Sequence, residues 1–209
     1  MLLFSRLITL TGSPRKSMPW AVGITDYVNA HSSLAVTCWA GSFGYPIGTV
    51  AWSSMVESQS ALAAGTAGLL ADAGYLDMID SAADLVSSPG QDSLREVIYG
   101  TPGEPPAIGS IVNVTTATAI VDRMADAVGW AVEIGQHVES VIGTPVAVLT
   151  DVFGTMGGIA WIGAQPDIAA SDAARAKLNA DGDYLKRVAG SKDLFIPGTG
   201  HISQASRIA

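Results

Sequence analysis

The sequence predicts an α+β protein built from two tandem βαββαβ units, and three observations carry that prediction. Residues 21–31 (AVGITDYVNAH) and 127–137 (AVGWAVEIGQH) both run Ala-Val-Gly, seven residues, then His, and lie 106 positions apart. Next, Phe43-Gly44 and Gly48-Thr49-Val50-Ala51-Trp52 return as Phe153-Gly154 and Gly157-Gly158-Ile159-Ala160-Trp161. Ala71-Asp72-x-x-Tyr75-Leu76 returns as Ala180-Asp181-x-x-Tyr184-Leu185, and the Trp and Tyr pairs are both 109 apart. The third observation is that both halves alternate strand-like and helix-like spacing in the same sequence. Matches kept in order at nearly constant offset indicate a duplication.

In the first half, 2–11 alternates as a strand and 17–31 has helical spacing. Residues 34–40 and 49–56 are again strand-like, 61–86 is one Ala- and Leu-rich helical stretch, and 93–99 closes the unit as a strand. The second half follows with strands at 110–117, 145–151, 158–163 and 201–208 and helices at 121–142 and 171–189. Such a unit makes a four-stranded antiparallel sheet with both helices on one face. The units are therefore 1–100 and 108–209, joined by a stiff Pro/Gly linker at 101–107 (TPGEPPA). Packing the two sheets together buries the face each would leave open.

Composition narrows the functions. The 209 residues are 48% hydrophobic and 14% charged, well below the roughly 25% charged of an average domain. A surface so poor in charge predicts self-association, with the chain itself as partner. The net charge of −8, with no stripe of Lys or Arg, argues against nucleic acid. The only cysteine, Cys38, rules out an internal disulfide or multi-thiolate site and reads as a buried, inert thiol.

Residues 141–164 carry one charge, Asp151. Gly143-Thr144-Pro145 and Gly154-Thr155-Met156-Gly157-Gly158 cut them into two strands, so no membrane span is expected. The opening apolar run is broken by Arg6 and lacks a small-residue cleavage site, so it reads as a strand and a cytoplasmic location is expected. Pro197-Gly198-Thr199-Gly200-His201 lacks the Lys-Ser/Thr of a phosphate loop and reads as a turn.

The tandem βαββαβ pattern, with its repeated helix and hairpin, resembles the dimeric α+β barrel superfamily of ferredoxin-like units in its fused form. The resemblance covers nearly the whole chain but selects no member family. It implies a pocket between sheet and helices, and a function among cofactor-free monooxygenases, polyketide cyclases, haem-binding or haem-degrading enzymes and members without chemistry. The leading expectation is an oligomer that binds a small apolar or aromatic molecule, with cofactor-free oxygenation or proton transfer as its chemistry. The alternative is a non-catalytic building block of an assembly, and whether the chain is an enzyme stays open.

The duplicated histidines are the marked residues. His31 and His137 end the apolar stripes of their helices, where an imidazole either caps the last carbonyls or moves protons in a pocket. One turn earlier stand Tyr27 and Glu133, close enough on a helix to touch them. On the catalytic reading, Glu133 orients His137 as a base in the second half, while Tyr27 and His31 line the first pocket. Trp52 and Trp161 read as sheet packing or as a ligand platform. No cofactor is expected; haem, with one of the histidines as its ligand, is the lesser alternative.

Overall fold

The computed structural model describes residues 1–100 and 103–209, so Thr101 and Pro102 of the expected linker lie outside the described residues. The first unit contains strands β1 (Leu2–Thr9), β2 (Val36–Phe43), β3 (Thr49–Val56) and β4 (Gln91–Tyr99). Its helices are α1 (Pro14–His31), α2 (Gln59–Leu70) and α3 (Ala73–Asp80). The second contains β5 (Ile111–Thr118), β6 (Val146–Phe153), β7 (Gly158–Gln165) and β8 (His201–Arg207), with α4 (Met124–Ile142), α5 (Ile168–Ala180) and α6 (Gly182–Gly190).

The eight strands form one closed antiparallel barrel in the order β1-β3-β2-β8-β5-β7-β6-β4. Each unit contributes a four-stranded sheet, and the sheets meet edge to edge, β2 on β8 and β4 on β6. Every strand edge among the described residues is thus paired within the chain. Closure of the barrel removes the open edges that two separate sheets would present.

One helical stretch was expected at 61–86 and another at 171–189; each is two helices. Asp72 ends the first helix's run by capping the next: its carboxylate accepts from the backbone N–H of Gly74 and Tyr75. Asp181 does the same with Tyr184 N–H at 2.6 Å. An aspartate that satisfies the free N–H groups of a new helix favours a break over continuation. The start of the expected helix at 121–142 is a 3-10 turn, Val121–Arg123.

The β2–β3 and β6–β7 turns repeat closely. Gly48 (φ +87°) and Gly157 (φ +79°) adopt left-handed backbone, and their carbonyls accept from Leu10 and Ala119 N–H, both at 2.9 Å. A side chain at Gly48 would run into the Leu10 carbonyl, which explains the repeated glycine. The cores lie between sheet and helices: Ile24, Val28, Leu34, Val56, Leu69 and Leu94 in the first unit, and Ala127, Ala131, Val148, Ile159 and Leu194 in the second. Cys38 is fully buried, and that burial pushes its thiol up to about 11.

Candidate functional site

The two units part company on the helix-facing side of the sheet. In the first, a cavity of about 470 Å³ lies between β1, β3 and the three helices, and four aromatic side chains line it: Phe4, Trp20, Trp52 and Tyr75. Trp20 and Trp52 meet edge to face, with centroids 6.0 Å apart and planes at 87°. Both indoles are anchored. Trp20 Nε1 donates to the Met78 carbonyl at 2.9 Å, and Trp52 Nε1 donates to Thr25 Oγ1 at 2.8 Å. Rings fixed by hydrogen bonds on rigid elements make a preorganised wall.

In the second unit the equivalent space holds three packed rings. Trp161, the counterpart of Trp52, meets Trp130 at 6.0 Å and Phe195 at 5.9 Å, and those two meet at 5.5 Å. The repeat gives the reason. Trp130 stands where the first helix has Ile24, 106 positions earlier, and Phe195 stands where the first unit has Val86. Val86 bridges to Leu10 as Phe195 bridges to Ala119, which confirms that correspondence. Trp130 and Phe195 thus bring two rings against Trp161 where the first unit has Ile24 and Val86. In the first unit the ring against Trp52 comes from Trp20, one turn earlier, where the second has Asp126.

Arg6 reaches the first cavity from the middle of β1. It lies opposite Trp52 on one side and Asp92 on the other. Its Nε and Nη2 donate to the two oxygens of Asp92, both at 2.8 Å. This bond to Asp92 holds the guanidinium proton more tightly than usual, with burial opposing the effect.

The marked histidines are elsewhere. His31 is exposed; its Nδ1 donates to the Tyr27 carbonyl at 2.9 Å and its ring stacks on Tyr27 at 3.9 Å. That is the geometry of a helix-end cap. Tyr27 donates from its hydroxyl to Asp72 Oδ1 at 2.7 Å; this bond holds the Asp72 carboxyl below its usual range and the Tyr27 phenol above its own. His137 is half-buried, and its Nε2 lies 3.0 Å from Asp181 Oδ1. The backbone N–H of Tyr184 and then His137 hold the Asp181 carboxyl down.

Glu133 is exposed and makes no side-chain hydrogen bond among the described residues, so the carboxylate facing His137 is Asp181. Of the residues marked in the sequence, only Trp52 lines the cavity; His31, Tyr27, Glu133, His137 and Trp161 do not. Trp20, Arg6 and Asp92 were not singled out by the sequence, and Tyr75 entered it only as part of the repeat. The unmatched Ile24/Trp130 and Val86/Phe195 pairs were the available signal that the two halves differ.

Among the described residues no cluster of three or more His, Cys, Asp or Glu could hold a metal ion, and no helix is long and apolar enough to cross a membrane. No histidine lines the first unit's cavity among the described residues.

No protein-family model and no curated protein matches the sequence. Solved structures share the fold over the whole chain. A "putative monooxygenase" of Fusobacterium nucleatum superimposes with a TM-score of 0.75 at 12% identity, over 100% of this chain and 92% of its own. An "anthrone oxidase-like protein" gives 0.68 at 14%, over 100% and 91%. A "putative chlorite dismutase" gives 0.54 at 12%, over 100% and 96%. The chain thus has the fold of the dimeric α+β barrels, with two ferredoxin-like units fused in one polypeptide.

Proposed function

We propose that the first unit's cavity binds a flat aromatic or polyketide-like molecule and that the protein carries out a cofactor-free oxygenation of it. The observation that carries this reading is the cavity itself: about 470 Å³, within the size range of small-molecule sites, mostly apolar, with a few convergent polar groups. The edge-to-face Trp20 and Trp52 rings offer a face and an edge to a planar guest. The similarity to an anthrone oxidase-like protein points the same way.

In the reaction, an enolisable ring CH₂ loses a proton to water at the cavity mouth. The resulting carbanion passes an electron to dioxygen and the two radicals join in a C–O bond; the peroxide regains the proton, and loss of the second C–H proton with cleavage of the O–O bond expels water, so that CH₂ plus O₂ become C=O plus H₂O. The protein's part is to hold the ring, exclude water from its face and stabilise the enolate oxygen. Titration of the metal-free protein with a tricyclic anthrone, following tryptophan fluorescence and oxygen uptake, tests the proposal. Quenching with uptake supports it; neither, up to millimolar ligand, contradicts it.

A second reading has one observation in its favour. Neighbouring strands alternate in direction around the barrel, so the β2–β3 and β6–β7 turns project from the same end. There Phe43, Ile47, Phe153 and Met156 are all exposed. A patch made of two equivalent halves suits contact with a second copy of the chain. On this reading the protein self-associates end to end, with or without the catalytic role.

A further inference from the structure

We propose that the ligand of the first cavity carries an anionic oxygen (a carboxylate, phenolate or enolate) and that Arg6 is the residue that selects it. The inference rests on the cavity reading above and adds the ligand's charge to it.

Asp92 engages the Nε and Nη2 atoms of Arg6 and so fixes the plane of the guanidinium. Nη1 makes no direct hydrogen bond to protein among the described residues, and the Tyr75 hydroxyl lies beside the guanidinium. An arginine held by one edge offers the other as a fork matched to a planar anion. The pair is about half exposed, 43% for Arg6 and 47% for Asp92, so it is reachable from solution and contributes little to stability.

Its place in the fold favours a ligand role over a surface ion pair. Arg6 lines the aromatic cavity together with Trp52 and Tyr75. Asp92, Phe4 and Thr66 also border a shallower apolar groove of about 500 Å³, under α2 and beside Phe153. The charged pair thus stands where the two apolar spaces meet. The duplication supplies an independent control. Thr115 occupies the position of Arg6, opposite Trp161, and it faces Ile202 where Arg6 faces Asp92. The ion pair that borders the first unit's cavity therefore has no counterpart at the equivalent position of the second unit.

Two probes of one shape separate charge from fit: anthracene-2-carboxylate and the neutral 2-hydroxymethylanthracene, each titrated into the full chain by tryptophan quenching at low salt. The wild type should prefer the carboxylate by on the order of tenfold. In Arg6→Gln that preference should vanish while affinity for the alcohol stays the same. Arg6→Lys should keep part of it, as a point charge without the fork. Equal affinities in the wild type, or an unchanged preference in Arg6→Gln with both proteins folded by circular dichroism, would overturn the assignment while leaving the cavity reading intact. Failure of both probes to quench would sink the cavity reading and the inference with it.

Discussion

Asp181 holds His137 at 3.0 Å, whereas its counterpart in the first unit, Asp72, holds Tyr27 at 2.7 Å. The duplicated aspartates kept one task, capping a helix, and took different partners from the preceding long helix. His137 thereby links α4 to the α5–α6 corner. His31 makes its hydrogen bond within its own helix, to the Tyr27 carbonyl.

His137→Ala should therefore lower the melting temperature more than His31→Ala, and neither should change ring binding. Equal shifts in thermal melts would contradict the linking role.

Both aspartates predict an acid limb. Their folded carboxyl values are lowered, so their contribution is fully present above the ordinary aspartate value near about 3.9 and is lost as pH falls through the lower folded values. Asp181→Asn should flatten the acid side of the stability profile measured by urea unfolding. A slope as steep as that of the wild type would count against it.

The seam between the units carries an ion pair of its own. Arg95 Nε donates to Asp151 Oδ1 at 2.6 Å across β4 and β6, and the Asp151 side chain is only 6% exposed. Arg95→Met should cost about 3 kcal/mol, because it leaves a buried carboxylate unpaired. Urea unfolding measures this directly, and a loss under about 0.5 kcal/mol would show that the pair does not hold the seam.

If the exposed turns join two copies, Ile47→Asp with Met156→Asp should convert the sedimenting species to monomer at micromolar concentration. A wild type that already sediments as a monomer would end that reading.

Much of the fold was legible because a duplication displays its own register. The repeated Ala-Val-Gly helix, the Gly-x-x-Ala-Trp strand and the Asp-x-x-Tyr corner located the two units and nearly all their strands. What the repeat concealed was a capping detail: in both halves Asp72 and Asp181 looked like interior positions of one helix until their carboxylates were seen on the next helix's N–H groups. The candidate cavity was less legible because similarity drew attention to the matched histidines, whereas part of the cavity's lining is not shared between the two halves. Ile24 against Trp130 and Val86 against Phe195 are unremarkable as single residues, and their effect emerges only when helix and strand bring them to one space. Arg6 looked like an interruption of an apolar strand, since its partner Asp92 is 86 residues away.

The same mismatch can be reversed. Trp130→Ile with Phe195→Val should cost roughly 3 kcal/mol of stability and open a second apolar space. Ring ligands should then bind with a stoichiometry approaching two per chain. A stoichiometry that stays at one in a folded variant would show that the three rings alone do not close the second unit.

The central claim is that the working pocket is the first unit's cavity and not the duplicated histidines. Binding of a tricyclic aromatic acid, measured by isothermal titration calorimetry on the wild type, on Ile24→Trp/Val86→Phe and on His137→Ala, tests it most directly. The account predicts one molecule bound per wild-type chain, none in the filled double variant, and wild-type affinity in His137→Ala. Binding that survives the filling and disappears with His137 would contradict it.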